Sequence, residues 1–252
     1  MPSVDEWNEI EGTFPEIIEE IDEVFSSYDV HPENSRAKKA AYYSKLQWSI
    51  DLVNRLRHAR WSYVMVMYLS GIGIPDEVWK KAPDQGEFAM TYFPNFTNED
   101  SVRKAQFDYF ADCFFFKLYS SLDTLGHLLI AIYDVRLTGK PDFHRVLGGL
   151  KSIRPELHSR LTALINSEDF AELKELRHDS THNEALGSVN SFANQLSTNH
   201  ITSGAGKYIT SSEIVESVKN SIKVLVELLT AVRDQLLADR YLLKSKSAPT
   251  NL

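Results

Sequence analysis

The sequence predicts an all-α fold, an up-and-down bundle of four long core helices with an N-terminal helical extension. Apolar residues recur at spacings of three and four over long stretches, and residues 35–70 contain neither Gly nor Pro. No segment shows the alternation of apolar and polar residues that indicates a half-buried strand. The 252 residues, 43% of them hydrophobic, are enough for one large domain or two small ones. We expect residues 1–35 to form an acidic helical extension, residues 36–243 the bundle and residues 244–252 a flexible tail.

The first helices are predicted from their start and stop signals. Ser3 and Glu6 have the spacing of a capping box, and the helical pattern that follows is expected to break at Pro15. The first long core helix should cover residues 35–70, because a one-sided apolar stripe runs through them and ends at the Gly and Pro residues of 71–75.

The remaining core helices follow from similar signals. A second long helix is expected over Ser101–Asp134, and it is apolar on nearly every side, which is typical of a helix in the middle of a domain. Ser167 is the predicted N-cap of a helix that carries Arg177. Residues 187–212 are rich in Ser, Thr, Asn and Gly, which predicts a long mobile loop with no strand. Thr210, three residues before a Glu, should begin the last long helix.

The negative charge is concentrated at the N-terminus. The net charge is -8, but residues 1–35 hold eleven acidic residues and neither Lys nor Arg, so the rest of the chain carries about +3. An acidic balance of this kind does not exclude a nucleic-acid ligand for the bundle. Two interpretations stay open for the segment, a solvated acidic helix or an anionic cover over a basic groove.

The cysteine count and the apolar stretches indicate the compartment. The single cysteine, Cys113, excludes a disulfide framework and lies in an apolar run, as a buried thiol would. The first residues lack the basic-then-apolar order of a secretion signal, and no apolar stretch is long enough to span a bilayer. We therefore expect a cytoplasmic protein with no membrane partner.

Residues 177–183 read Arg-His-Asp-Ser-Thr-His-Asn, and every side chain among them can hydrogen-bond or titrate. Arg177 carries a permanent planar charge that suits a phosphate, and His182 can move a proton near neutral pH. Together they supply what is needed to cut a phosphodiester without a metal. In an ideal helix the two residues are offset by about 140° around the axis. We therefore expect the helix to end within this stretch, or a second element or a second chain to complete the pocket.

The pattern of Arg, four residues and His resembles the signature of the HEPN superfamily. Arg177 and His182 fit the motif, His178 fills the position directly after the Arg, and a long final helix follows, as in the family's all-helical bundle. Asp123, on the otherwise apolar second helix, is similarly placed to the residue that supports the Arg in the family. Glu184 stands where some members carry a Tyr that a partner enzyme modifies.

This resemblance implies a dimeric, metal-independent endoribonuclease or an RNA-binding module, within a defence or toxin–antitoxin system. It implies no cofactor. It implies RNA and a second copy of the chain as partners, with an antitoxin or a nucleotidyltransferase-type protein as a further one. His182 would act as general base or acid at the ribose 2′-hydroxyl, and Arg177 would stabilise charge on the phosphate. The supporting residues would be Asp123, His178, Asp179 and Asn183.

Two other interpretations stay open. In the first, the chain is a non-catalytic helical interaction module, in which Arg177 pairs with Asp123 or with Glu residues of the bundle and His182 caps a helix. In the second, His178 and His182 bind zinc from one helix face, with Asp179 in the place of the catalytic Glu of such a motif. A third ligand would then come from Asp123, His127 or His200.

Overall fold

The computed structural model confirms the all-α fold. It describes residues 1–27, 36–83, 90–182, 186–189, 191–197, 200–205 and 208–247. Its helices are α1 (Val4–Glu11), α2 (Ile17–Ser27), α3 (Arg36–Ile72), α4 (Asn98–Tyr133), α5 (Phe143–Leu150), α6 (Pro155–Ile165), α7 (Glu168–His182) and α8 (Ser211–Ser247). Three of them, α3, α4 and α8, have 36 or 37 residues, whereas α7 has 15. The last helix continues to Ser247, into the segment expected to be a tail.

The helix boundaries follow the local signals in the sequence. The Ser3 hydroxyl accepts a hydrogen bond from the Glu6 backbone N–H at 3.3 Å, and the Glu6 carboxylate accepts from the Ser3 N–H at 2.7 Å. Thr210 and Glu213 make the same reciprocal pair at the start of α8. Pro15 lies in the break between α1 and α2, where its missing N–H costs no helical hydrogen bond. These boundaries agree with those predicted.

The core is built around α4. Its inward side chains are fully buried, among them Phe107, Phe114, Phe115, Leu118 and Leu125. Helix α3 runs antiparallel beside it, and contacts at three levels show the alignment. Arg103 donates to the Gly73 carbonyl at 2.8 Å, Arg55 donates to the Ser120 hydroxyl at 2.9 Å, and the Trp48 ring stacks on His127 at 4.2 Å.

The acidic N-terminal helices belong to this core. Helices α1 and α2 pack on α3, and α2 also packs on α8. Four apolar side chains of this segment are at most 5% exposed: Phe14, Ile17, Ile18 and Ile21. Two arginines bind three of the outward acids. Arg60 binds Glu11 at 3.1 Å and Glu19 at 2.7 Å, and Arg233 of α8 binds Glu20.

Two small antiparallel sheets contradict the expectation of no strands. Strand β1 (Lys80–Lys81) pairs with β2 (Thr91–Tyr92), and β3 (Ser191–Ser197) pairs with β4 (His200–Ala205) as a hairpin where a mobile loop was predicted. In the described structure, β3 and β4 pack on each other and on no helix. Alternation of apolar and polar residues arises when one face of a sheet is buried. The sequence of this hairpin shows no such alternation, which is why the prediction was wrong.

Among the described residues, no helix is long and apolar enough to cross a membrane.

Candidate functional site

The candidate motif lies on α7, whose start and inward face the sequence determines. The Ser167 hydroxyl accepts the Phe170 N–H at 3.3 Å, so it caps the helix as predicted. Phe170, Leu173 and Leu176 are then buried against the bundle, at 1%, 1% and 6% exposure. The helix continues without interruption from Arg177 to His182. The two residues therefore start from different sides of one helix, and no helix end brings them together.

Arg177 lies at the surface, over an aromatic ring of α4. Its guanidinium carbon is 5.1 Å from the centre of the Tyr119 ring, a cation–π contact. The Phe170 ring lies 6.4 Å from the same ring on the inner side. The Arg177 side chain is partly exposed. The ring thus holds the guanidinium at the protein surface rather than inside the core.

Acidic groups surround the same ring. Burial raises the pKa of the Tyr119 hydroxyl above its usual value, the charges of Asp123 and Asp142 raise it further, and the charge of Arg177 acts against them. Asp123 is exposed and accepts the Phe143 N–H, the first of α5, at 3.4 Å. One arginine and two carboxylates from α4, α5 and α7 therefore act on one half-buried tyrosine.

The other predicted site residues are spread around α7. His178 is exposed and Asp179 is half-buried. The backbone of His182 is the last of the helix, and its side chain lies outside the described part of the structure. Asn183 and His200 were also candidates; Asn183 lies outside the described residues, and His200 is described only as the first residue of β4.

The chain that follows α7 is anchored on α4. The Leu186 N–H donates to the Asp112 carboxylate, and burial is the main cause that raises the pKa of this carboxyl to about 6. Gly187 has a φ of +75° and packs against the ion pair of Lys104 and Asp108, in which Nζ and Oδ1 are 2.5 Å apart. A Cβ at this position would lie 2.2 Å from the Lys104 Nζ, so a side chain here would displace the ion pair, and the positive φ also favours Gly. Because Arg177 meets Tyr119 and Leu186 meets Asp112, the chain runs antiparallel to α4, with His182 between these two levels.

The far end of the β3–β4 hairpin is anchored nearby. Asp76 is 1% exposed, and its Oδ2 accepts the Tyr208 hydroxyl at 2.6 Å and the Ser211 N–H and hydroxyl at 2.9 and 2.7 Å. Burial is the main cause that raises the pKa of the Tyr208 hydroxyl, and its hydrogen bond to Asp76 is the second cause. The Lys104 Nζ lies 5.4 Å from the centre of the Tyr208 ring. One buried polar cluster therefore holds both ends of the hairpin.

The zinc interpretation needs a cluster of metal ligands among the described residues. Among them, no group of three or more His, Cys, Asp and Glu side chains could hold a metal ion. His127, a candidate third ligand, stacks flat on Trp48, with an angle of 8° between the rings.

A comparison of the sequence with models of known protein families identifies the family of this chain. A family model described as HEPN_Cthe2314-like HEPN matches residues 48–238, from the middle of α3 to near the end of α8. The chain belongs to this HEPN family. No curated protein and no solved structure shows significant similarity to the chain. The HEPN match includes Asp123, Arg177 and His182, and it leaves out the acidic residues 1–35.

The pattern of Arg177 and His182 alone did not point to two residues at this level of α4. Tyr119 lies four residues before Asp123 on α4, and this spacing places both on one helix face. That relation was available in the sequence. Arg55 of α3 had no such signal, because only the packing of α3 on α4 brings it to Ser120.

Proposed function

We propose that this HEPN protein is a metal-independent endoribonuclease that works as a homodimer on RNA. Arg177 binds the scissile phosphate, and His182 serves as general base or acid at the 2′-hydroxyl. The observation that carries the proposal is the placement of Arg177, whose partly exposed guanidinium lies over Tyr119 at the protein surface. A guanidinium in that position can reach an anionic ligand in solution without unfolding the bundle.

The proposed chemistry uses the RNA's own nucleophile. His182 removes the proton of the 2′-hydroxyl, whose oxygen attacks the adjacent phosphorus. The P–O5′ bond breaks, the leaving oxygen takes up a proton, and a 2′,3′-cyclic phosphate and a 5′-hydroxyl result. Arg177 stabilises the charge that builds up on the phosphate oxygens. Because DNA has no 2′-hydroxyl, the reaction is restricted to RNA.

The family also supports proposals about the biological setting. We place the protein in a defence or toxin–antitoxin system, in which an antitoxin or a nucleotidyltransferase-type partner would control the site. Asp123, His178, Asp179 and Asn183 are proposed to support the two main residues.

The test is a comparison of Arg177→Ala and His182→Ala with the wild type on a labelled single-stranded RNA, in the presence of EDTA. We expect each variant to lose cleavage while its melting temperature stays within a few degrees of the wild type, because Arg177 is partly exposed and its ring contact is worth about 0.5–1 kcal/mol. Arg136→Ala, at an exposed position beyond the end of α4, is the matched control and should cleave normally.

Three results would contradict the proposal. Cleavage that stops in EDTA would indicate a metal-dependent enzyme. A large drop in stability in both variants, with RNA binding and cleavage absent from the wild type, would indicate a structural polar cluster in a helical interaction module. Full activity in both variants would exclude the two residues from the chemistry.

A further inference from the structure

Two arginines from different helices reach one turn of α4. From α3, the Arg55 Nη1 donates to the Ser120 hydroxyl at 2.9 Å. From α7, the Arg177 guanidinium carbon lies 5.1 Å from the centre of the Tyr119 ring. Because Tyr119 and Ser120 are consecutive residues, both guanidinium groups lie at the same level of α4. An anionic chain that crosses α4 at this level would meet both of them.

Arg55 is held by a neutral group rather than by an acid. Its hydrogen bond goes to a hydroxyl, and it forms no ion pair with any residue that the structure describes. Arg60 and Arg233, in contrast, are bound to the glutamates of α1 and α2. A guanidinium has five N–H donors, and a single bond to a serine leaves most of them for a ligand. Arg55 is also partly exposed.

The surface next to these arginines offers an aromatic ring. Phe116 is 42% exposed, one turn before Ser120 on α4, and the Lys117 Nζ lies 5.8 Å from the centre of its ring. Exposed aromatic rings beside cationic groups bind single-stranded nucleic acids, because unpaired bases stack on the rings while the cations bind the phosphates. Bases inside a duplex cannot stack on such a ring. The combination favours single-stranded RNA over duplex.

We infer that Arg55 is a second phosphate-binding residue of the RNA site, so that a single strand crosses α4 between Arg55 and Arg177. This inference rests on the proposed function, since it names a further contact and the substrate class of the same site. Arg55 binds the phosphate next to the one that is cut and takes no part in proton transfer.

The test measures binding of a fluorescein-labelled single-stranded 12-nucleotide 2′-O-methyl oligouridylate to the full chain by fluorescence anisotropy at several salt concentrations. This probe cannot be cleaved by the proposed chemistry, because its 2′-oxygen carries no proton. Arg55→Gln should weaken binding about tenfold and lower the slope of log affinity against log salt by about one, as expected for one lost phosphate contact. Arg55→Lys should keep the wild-type slope, since it keeps the charge.

Two controls separate the charge of Arg55 from its structural bond. Arg57→Gln removes an exposed arginine two residues along α3, about 200° around the helix, and should leave affinity and slope unchanged. Ser120→Ala removes the hydrogen-bond partner but leaves the guanidinium, so affinity should change by less than about twofold. If Arg55→Gln does not fold, Ser120→Asp places a carboxylate against Arg55 and should lower affinity and slope in the same way.

The outcomes distinguish this inference from the proposed function. If Arg177→Gln weakens binding and Arg55→Gln has the wild-type affinity and slope, Arg55 lies off the RNA path and only the further inference fails. If the wild type binds no single-stranded RNA at any salt concentration, the proposed function fails and the inference with it. If Arg55→Gln changes the oligomeric state in size-exclusion chromatography at unchanged affinity, Arg55 belongs to a contact between protein chains and the inference is overturned.

Discussion

At the scale of single residues, burial raises the pKa of three side chains of α4: Asp108, Asp112 and Tyr119. Asp112 is half-buried, and its Oδ1 has no hydrogen-bond partner among the described residues. Its pKa is raised to about 6, first by burial and then by the charge of Asp108, while the Leu186 N–H and the charge of Lys104 act in the opposite direction. This carboxyl holds the chain that follows the HEPN motif, so its charge state affects that anchor.

Asp112→Asn should therefore change how stability depends on pH. The folded protein holds this proton up to about pH 6, whereas the unfolded chain loses it near pH 4, so the wild type loses stability as the pH rises from about 4 to 6. Asn keeps an acceptor for the Leu186 N–H and carries no charge. We expect the variant to be more stable than the wild type at pH 7.5, by about 1 kcal/mol after allowance for the solvent that reaches this carboxyl. The two proteins should become equal near pH 4.

Urea denaturation at pH 4, 5, 6 and 7.5 measures this difference. Asp51→Asn, at a partly exposed position on α3, is the control and should show no such pH-dependent gain. A wild type that is more stable than Asp112→Asn at pH 7.5 would mean that the charged carboxylate is favourable in the anchor.

At the scale of secondary-structure elements, the acidic helices have two different faces. On α2, Ile17, Ile18 and Ile21 bury one face in the core, while Glu19 and Glu20 bind arginines of α3 and α8 on the other. In the described structure, α1 and α2 do not pack on α7, which packs on α4, α6 and α8. This arrangement favours the interpretation of the acidic segment as part of the scaffold rather than as a cover over the HEPN motif.

Neutralising the acidic side chains tests whether the segment is part of the scaffold or covers the RNA site, and it leaves the buried side chains in place. We expect Glu19→Gln/Glu20→Gln/Glu23→Gln to bind the 2′-O-methyl oligouridylate within about twofold of the wild type, because these charges lie on helices that do not contact α7. The loss of two surface ion pairs should cost at most about 1 kcal/mol each. A tenfold gain in affinity at low salt would instead show that the segment competes with RNA.

The sequence signals for these elements differed in strength. Helix α4 was expected over Ser101–Asp134 and is observed over Asn98–Tyr133, because a long helix that is apolar on nearly every side leaves little ambiguity. The β3–β4 hairpin was missed, because its sequence shows no alternation of apolar and polar residues. The break at Pro15 was predicted correctly, since proline acts through local sterics alone.

At the scale of the whole molecule, the uninterrupted helix α7 constrains how the site can be assembled. Arg177 and His182 are five residues apart, so their backbone positions are about 140° apart around the helix axis. One phosphate is hard to reach from both sides of a single helix. A second copy, related by a twofold axis, could bring its His182 to the Arg177 of the first, and each dimer would then contain two such shared sites.

Subunit mixing distinguishes shared from separate sites. Arg177→Ala and His182→Ala are each expected to be inactive alone. After denaturation and refolding together in equal amounts, half of the dimers would be mixed, and each would contain one site with both residues intact. Cleavage of single-stranded RNA should then return to about a quarter of the wild-type rate. No recovery, with mixed dimers confirmed by mass spectrometry, would show that each chain must supply both residues.

The sequence by itself determined the helices and their caps, because apolar spacing, capping boxes and proline act between residues close in the chain. Only the tertiary structure decided which groups meet at residues 119 and 120 of α4. Arg177 of α7 lies over Tyr119, the charge of Asp142 at the N-cap of α5 acts on the same tyrosine, and Arg55 of α3 donates to Ser120. The packing of helices depends on the shapes of their complete side-chain surfaces, and a local sequence pattern does not indicate which helix surfaces will contact each other.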